Sequence, residues 1–137
     1  MVFSRIILAL TGCMFAIYGV MCLMDPATPA GYAGMELPGA SASTEVIAMY
    51  GGLQTALGVL LVAWAWRPHL VVPALVLTLV VIGGLALGRA SGLLRNGADA
   101  YNLGAVGFET TTAILAALAL FLEQKYRKDT GAAPSGF

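Results

Sequence analysis

Apolar residues run in four blocks along the chain, and the charged residues gather between them. Positions 6–24, 46–66 and 68–88 carry no charge, and positions 100–122 carry only Glu109. A helix rises ~1.5 Å per residue and the hydrocarbon core of a bilayer is roughly 30 Å thick, so about 20 apolar residues suffice to cross it. Each block meets that length. A buried helix of a soluble domain would be shorter and would show a polar stripe. The pattern predicts an all-α integral membrane protein, a four-helix bundle with spans over about residues 4–24, 45–66, 70–89 and 101–122.

The breaks between blocks have local causes. Asp25-Pro26 stops the first span, because proline cannot continue a helix and pushes the preceding residue out of the α region. Residues 25–44 then read as a loop rich in Pro, Gly, Ala and Ser, without a lysine or arginine. Ser43 or Thr44 is the expected N-cap of the second span, with Glu45 in its first turn, where the helix dipole favours a negative charge. Arg67-Pro68-His69 forms a tight turn, residues 90–100 a second polar connection, and residues 123–137 a mobile tail. The first span competes with a signal-peptide reading, since Leu10-Thr11-Gly12-Cys13 resembles a lipoprotein processing box. The apolar run is short before Cys13 and continues past it to Met24, which favours a span.

Composition sharpens the class. Apolar residues make up 59% of the 137 and charged residues 10%, whereas a soluble domain has about a quarter of its residues charged. The mean hydropathy is +0.86. The chain reads as one membrane domain, residues 1–137, with the lipid bilayer as its main partner. Net charge is zero and no basic tract occurs, which argues against nucleic acid. Four spans put both termini and the Arg67 turn on one side, with Arg5, Arg67, Lys125, Arg127 and Lys128. The other side holds Arg89 and Arg95. The positive-inside rule then makes the N- and C-termini cytoplasmic.

Depth singles out a few polar side chains. Glu45 and Arg89 fall at the outer ends of their spans, Tyr50 and Gln54 one to two turns deeper, and Glu109 about two turns into the last span beside three threonines. All lie in the outer half, which points to a cavity there. A carboxylate at that depth is costly, so Glu109 is expected to face the bundle interior with a partner, and Arg89 is the nearest candidate. Asn102, Ala105, Glu109, Thr112, Ala113 and Ala116 share one helical face; Phe108, Leu115, Leu118 and Leu122 share the opposite, lipid-facing one. Two readings fit the pair. It fixes helix register, as buried polar groups sometimes do, or it belongs to a ligand site with Tyr50, Gln54 and Glu45 at the rim. Gly52 with Ala56, Gly84 with Gly88, and Ala113 with Ala117 are the spacings expected to let helices approach closely.

Several chemistries are disfavoured. His69 is the only histidine, and Cys13 and Cys22 stand nine apart in one helix, so no metal site, disulfide or cofactor is expected. No phosphate loop, dinucleotide fingerprint or Ser-His-Asp set is present.

Glu45, the segment Ala48-Met49-Tyr50-Gly51-Gly52-Leu53-Gln54, Gly58, then Gly88-Arg89-Ala90-Ser91, Asn96-Gly97 and Glu109 resemble a bacterial family of small four-span membrane proteins of unknown function. That family's pattern is an acidic residue before Tyr-Gly-Gly, a Gly-Arg-x-x-Ser element, a later Asp-Gly and a glutamate in the last span. The resemblance covers about residues 7–121. Ile47 stands where the family usually has arginine, and Asn96 where it often has aspartate. The resemblance implies a multi-pass protein of the bacterial inner (plasma) membrane and brings no activity with it. Function is therefore expected from the outer polar groups: a pocket for a small polar or amphipathic ligand, or, as alternatives, an accessory or assembly subunit of a larger membrane complex, or an acid/base isomerase of a lipid-soluble substrate. Homo-oligomers remain open. Ion or solute transport is weaker, because the inner halves of the spans offer no polar path.

Overall fold

A computed structural model of the chain describes residues 1–131. These are all helix and connection. In order they form α1 (Val2–Met24), the short α2 (Ala30–Ala33), α3 (Ala40–Val46), a π-helical segment (Ile47–Gly52), α4 (Leu53–Ala65), a 3-10 turn (Pro68–Leu70), α5 (Val71–Asn96) and α6 (Ala100–Thr130). Four helical stretches are long and apolar enough to cross a membrane: Val2–Met24, Ala40–Ala65, Pro68–Asn96 and Ala100–Thr130.

Helix ends differ from the sequence expectation in three places. The second stretch starts at Ala40 after Gly39, so Ser43 and Thr44 do not cap it. The Thr44 hydroxyl instead donates to the Ala40 carbonyl one turn back, at 2.8 Å. Glu45 therefore lies beyond the first turn. Next, α5 does not stop near Arg89 but continues to Asn96, where Gly97 at φ +93° ends it. Residues 90–96 are mostly good helix formers, and Arg95 complements the negative end of the helix dipole. The expected eleven-residue connection shrinks to Gly97-Ala98-Asp99. Last, α6 continues past Leu122 to Thr130 and terminates at Gly131, φ +65°. The expected tail is thus helical over residues 123–130, with Arg127 and Lys128 in the last turn; residues 132–137 of that tail lie outside the described residues.

The chain divides into two compact units, residues 10–62 and residues 1–9 with 63 onward. In the first, α1 packs antiparallel against α4 at close range, and glycines make this possible. A Cβ on Gly12 would meet the Gly58 carbonyl at 2.8 Å, one on Gly19 the Thr55 hydroxyl at 2.5 Å, and one on Gly51 the Leu23 side chain at 2.7 Å. Phe15, Cys22, Val46 and Leu61 are buried in this unit. Two of the spacings expected to do this work do not: a Cβ on Gly84 or Gly88 would meet nothing within 4 Å, and one on Gly52 only the Ile47 carbonyl at 3.7 Å. In a membrane bundle small residues allow contact but do not oblige it, because lipid packs against them equally well.

The second unit is built on an α5–α6 hairpin. Leu75, Ile82 and Ala86 of α5 and Ala116 and Ala119 of α6 are buried, as is Leu8 from the start of α1. Phe108, Ile114, Leu118 and Phe121 of α6 and Leu87 and Leu94 of α5 are exposed, as hydrocarbon-facing side chains would be. Thr78, Thr111 and Thr112 each return their hydroxyl proton to a carbonyl of their own helix, so none presents an unmet polar group.

Candidate functional site

The three-residue turn between α5 and α6 brings Arg89 opposite Glu109. Given ~1.5 Å per residue, Arg89 lies about 10 Å and Glu109 about 14 Å from the turn along their helices. The Arg89 Nε donates to both Glu109 oxygens, at 3.1 Å and 3.0 Å, and Nη2 donates to Oε1 at 2.7 Å. Glu109 is only 7% exposed. A side-on guanidinium matches the two oxygens of a carboxylate, which makes this the strong form of ion pair.

The pair is held from outside by a second pair of residues. Arg89 Nη1 donates to Asn102 Oδ1 at 2.7 Å. The Asn102 amide nitrogen Nδ2 donates to Asp99 Oδ2 at 2.7 Å, and its backbone N–H donates to Asp99 Oδ1 at 2.9 Å. Asp99 is thereby the N-cap of α6. The Asn102 side-chain donor, helped by its backbone N–H, holds the exposed Asp99 carboxyl below the usual carboxylate range. The Tyr101 ring centroid lies 5.9 Å from the Arg89 guanidinium carbon, within cation–π range.

Beside this network runs a groove of about 770 Å³. Gly84, Gly88 and Gly92 form its floor, one turn apart along α5. Val80, Val81 and Leu85 make one end apolar; Arg89, Asn96, Asp99 and Asn102 make the other polar. The absence of side chains on the three glycines is what opens the space, since nothing stands within 4 Å of where their Cβ atoms would be. The volume falls in the range of small-molecule sites, roughly 300–1,000 Å³.

Of the five residues singled out from the sequence, the structure brings Arg89 and Glu109 together. Glu45 is exposed on α3, Tyr50 is half-buried in the π-helical segment, and Gln54 is half-buried in the first turn of α4. These three belong to the unit of residues 10–62.

Comparison with known families finds one of unknown function. A domain of unknown function, DUF4345, matches residues 3–120. The chain belongs to this family. No curated protein and no solved structure matches it. The DUF4345 match takes in Arg89, Asn102 and Glu109 and stops short of Glu123 and Arg127, which belong to a second polar cluster at the far end of α6.

That cluster centres on Glu123, which is 5% exposed. Its Oε2 accepts from the Met1 amino group at 2.5 Å and from the Ser4 hydroxyl at 2.9 Å. Its Oε1 accepts from Arg127 Nε at 3.4 Å, and Arg127 Nη2 donates to the Pro68 carbonyl at 2.5 Å. The cluster ties the start of α1 and the turn before α5 to α6. Sequence reasoning missed it because Glu123 falls where the apolar run ends and the helix does not. It also passed over Asp99 and Asn102 as site residues, although an Asp three residues ahead of an Asn at a helix start is a capping signal. Among the described residues no three His, Cys, Asp or Glu side chains are placed to hold a metal ion. Cys13 is exposed and Cys22 buried, both free thiols.

Proposed function

We propose that this chain is a four-helix membrane bundle of the bacterial inner membrane that binds a small amphipathic molecule in the α5–α6 groove, entered from the non-cytoplasmic side. One observation carries the reading: a groove of ligand size that is apolar at Val80, Val81 and Leu85 and polar at Arg89, Asn96 and Asn102. A molecule with a hydrocarbon part and a polar head matches that division along its length. The excess of basic residues at both termini and the Arg67 turn supports the orientation, with the α5–α6 turn outside. Glu109 and Arg89 then lie in the outer leaflet, Arg89 at the groove and Glu109 behind it. An acid–base role asks Glu109 to exchange a proton while both its oxygens accept from Arg89, so binding is the reading we carry.

The experiment is native mass spectrometry of protein purified in mild detergent. Binding predicts a discrete small-molecule adduct on the wild type that is lost when Gly88→Leu fills the floor. The same adduct on both proteins, or none on either, counts against the groove.

A second reading, an accessory subunit, draws on the same uncovered glycine floor, because a helix of another protein could lie against it. A stoichiometric protein partner that survives gentle purification and is lost in Gly88→Leu would favour it over a small molecule.

A further inference from the structure

The charges at the polar end decide what kind of head the groove can take. Its lining contains one cation, Arg89, and one anion, Asp99. Both are engaged. Arg89 holds Glu109 through three N–H···O contacts and Asn102 through a fourth, and Asp99 accepts two hydrogen bonds from Asn102. Glu109 does not line the groove and is 7% exposed, so its charge is compensated from the groove side by Arg89.

Consider a phosphate or carboxylate head entering at this end. To pair with Arg89 it must compete with Glu109, and success strands a buried carboxylate, which is far less favourable than leaving the pair intact. Without displacing Glu109 it meets an already neutralised guanidinium and, next to it, the Asp99 carboxylate. An ammonium head has only the exposed Asp99 carboxylate to pair with, which gains little in water, and at Asn102 it stands beside the Arg89 guanidinium. An uncharged head that carries hydroxyls avoids both penalties. It can donate to and accept from the Asn96 amide, and it can share the outer oxygens of Asp99 without moving a charge.

Resting on the groove reading above, we propose that the groove selects single-chain amphiphiles with an uncharged, hydroxyl-bearing head, and that Glu109 is the specificity-determining residue, acting through Arg89 to keep anionic heads out. The hydrocarbon chain lies along Gly84 and Gly88 toward Val80, and the head at Asn96 and Asn102. Glu109 is thus a positioning residue, not a contact of the ligand.

The claim makes an unusual demand of one substitution. Glu109→Gln keeps the shape of the side chain and removes its charge, so Arg89 gains an uncompensated positive charge at the groove. Selectivity should then invert rather than disappear. The test measures binding of three probes that share one palmitoyl-length chain: monopalmitoylglycerol, palmitoyl lysophosphatidate and hexadecylammonium, each titrated against the full-length protein in the same nonionic detergent. The wild type should bind the glycerol head at least about tenfold more tightly than either charged head, which corresponds to ~1.4 kcal/mol. Glu109→Gln should favour the phosphate head by a similar factor. A wild type that prefers a charged head, or shows no preference, overturns the proposal, and this needs no variant at all. Gly88→Leu separates the two failures. If it abolishes binding of every probe while the head preference is wrong, the groove stands and the selectivity argument falls. If it leaves all binding unchanged, the groove itself is wrong.

Discussion

Removing Arg89 strands a more deeply buried charge than removing Glu109 does, and its cost has a calculable size. Arg89→Met takes away all three N–H···O contacts to Glu109 and leaves a carboxylate that is 7% exposed. Breaking a buried pair from one side destabilises by about 3–5 kcal/mol, because the remaining charge has neither water nor a partner. The Arg89 side chain is 26% exposed, against 9% for Glu109, and it keeps the Asn102 oxygen and the Tyr101 ring when Glu109 is lost. Glu109→Leu should therefore destabilise less than Arg89→Met. The double variant removes both charges and should fall within about 1 kcal/mol of the wild type, since well-packed apolar residues often replace a buried pair at no loss. The assay is unfolding by SDS titration in mixed micelles, followed by far-UV circular dichroism for the four proteins. A coupling free energy of at least ~2 kcal/mol between the two positions is the expected result. Two single variants of equal effect whose losses simply add would refute the reasoning, because they would mean that Glu109 finds water or another partner.

Other expectations follow from separate parts of the chain. Gly58→Leu should destabilise by at least about 1–3 kcal/mol, as overpacking does, because a Cβ there would meet the Gly12 carbonyl at 2.5 Å; Gly83→Ala, with nothing within 4 Å, should be neutral or stabilising in the same SDS titration. Ser4→Ala removes a hydrogen bond to a buried carboxylate and should lower stability by about 1.5–3 kcal/mol, with Arg127 and the amino group still holding Glu123. The Asp99 carboxyl titrates below its ordinary value when folded, so the stability it gives α6 is present above the unfolded pKa and is lost as pH falls through the folded one. Protection of the Asn102 amide from hydrogen exchange, taken relative to its intrinsic rate at each pH, should accordingly fall on acidification in the wild type, and Asp99→Ala should show low protection at every pH.

The four stretches long and apolar enough to cross a membrane were legible because the bilayer sets a length that charge-free runs of this size meet. The Arg89–Glu109 pair was legible for a related reason: a carboxylate deep in an apolar helix must find a partner, and one arginine stood near the facing helix end. The distances in between were not. Arg89 was expected at a helix end, but α5 continues seven residues beyond it, because Ala90, Leu93, Leu94 and Arg95 favour helix and only Gly97 imposes a left-handed stop. Which glycines make close contacts was also hidden, since Gly12, Gly19 and Gly58 do so and Gly84 and Gly88 do not. The choice between them rests on which helices become neighbours, which a single helix's periodicity does not encode. The π-helical turn at Ile47–Gly52, which carries Tyr50, has no local signal in composition either.

The most direct test of the account places a photocrosslinking benzophenone side chain at Val81, on the groove wall, and another at Leu118, on the exposed face of α6. Irradiation of the protein in native membranes, followed by intact mass spectrometry, should give one dominant small-molecule adduct at Val81 and only the mixed lipids of the bulk membrane at Leu118. The Val81 adduct should vanish when Gly88→Leu is added. An identical lipid mixture at both positions would show that the groove holds nothing but solvent lipid, and would contradict the proposed function.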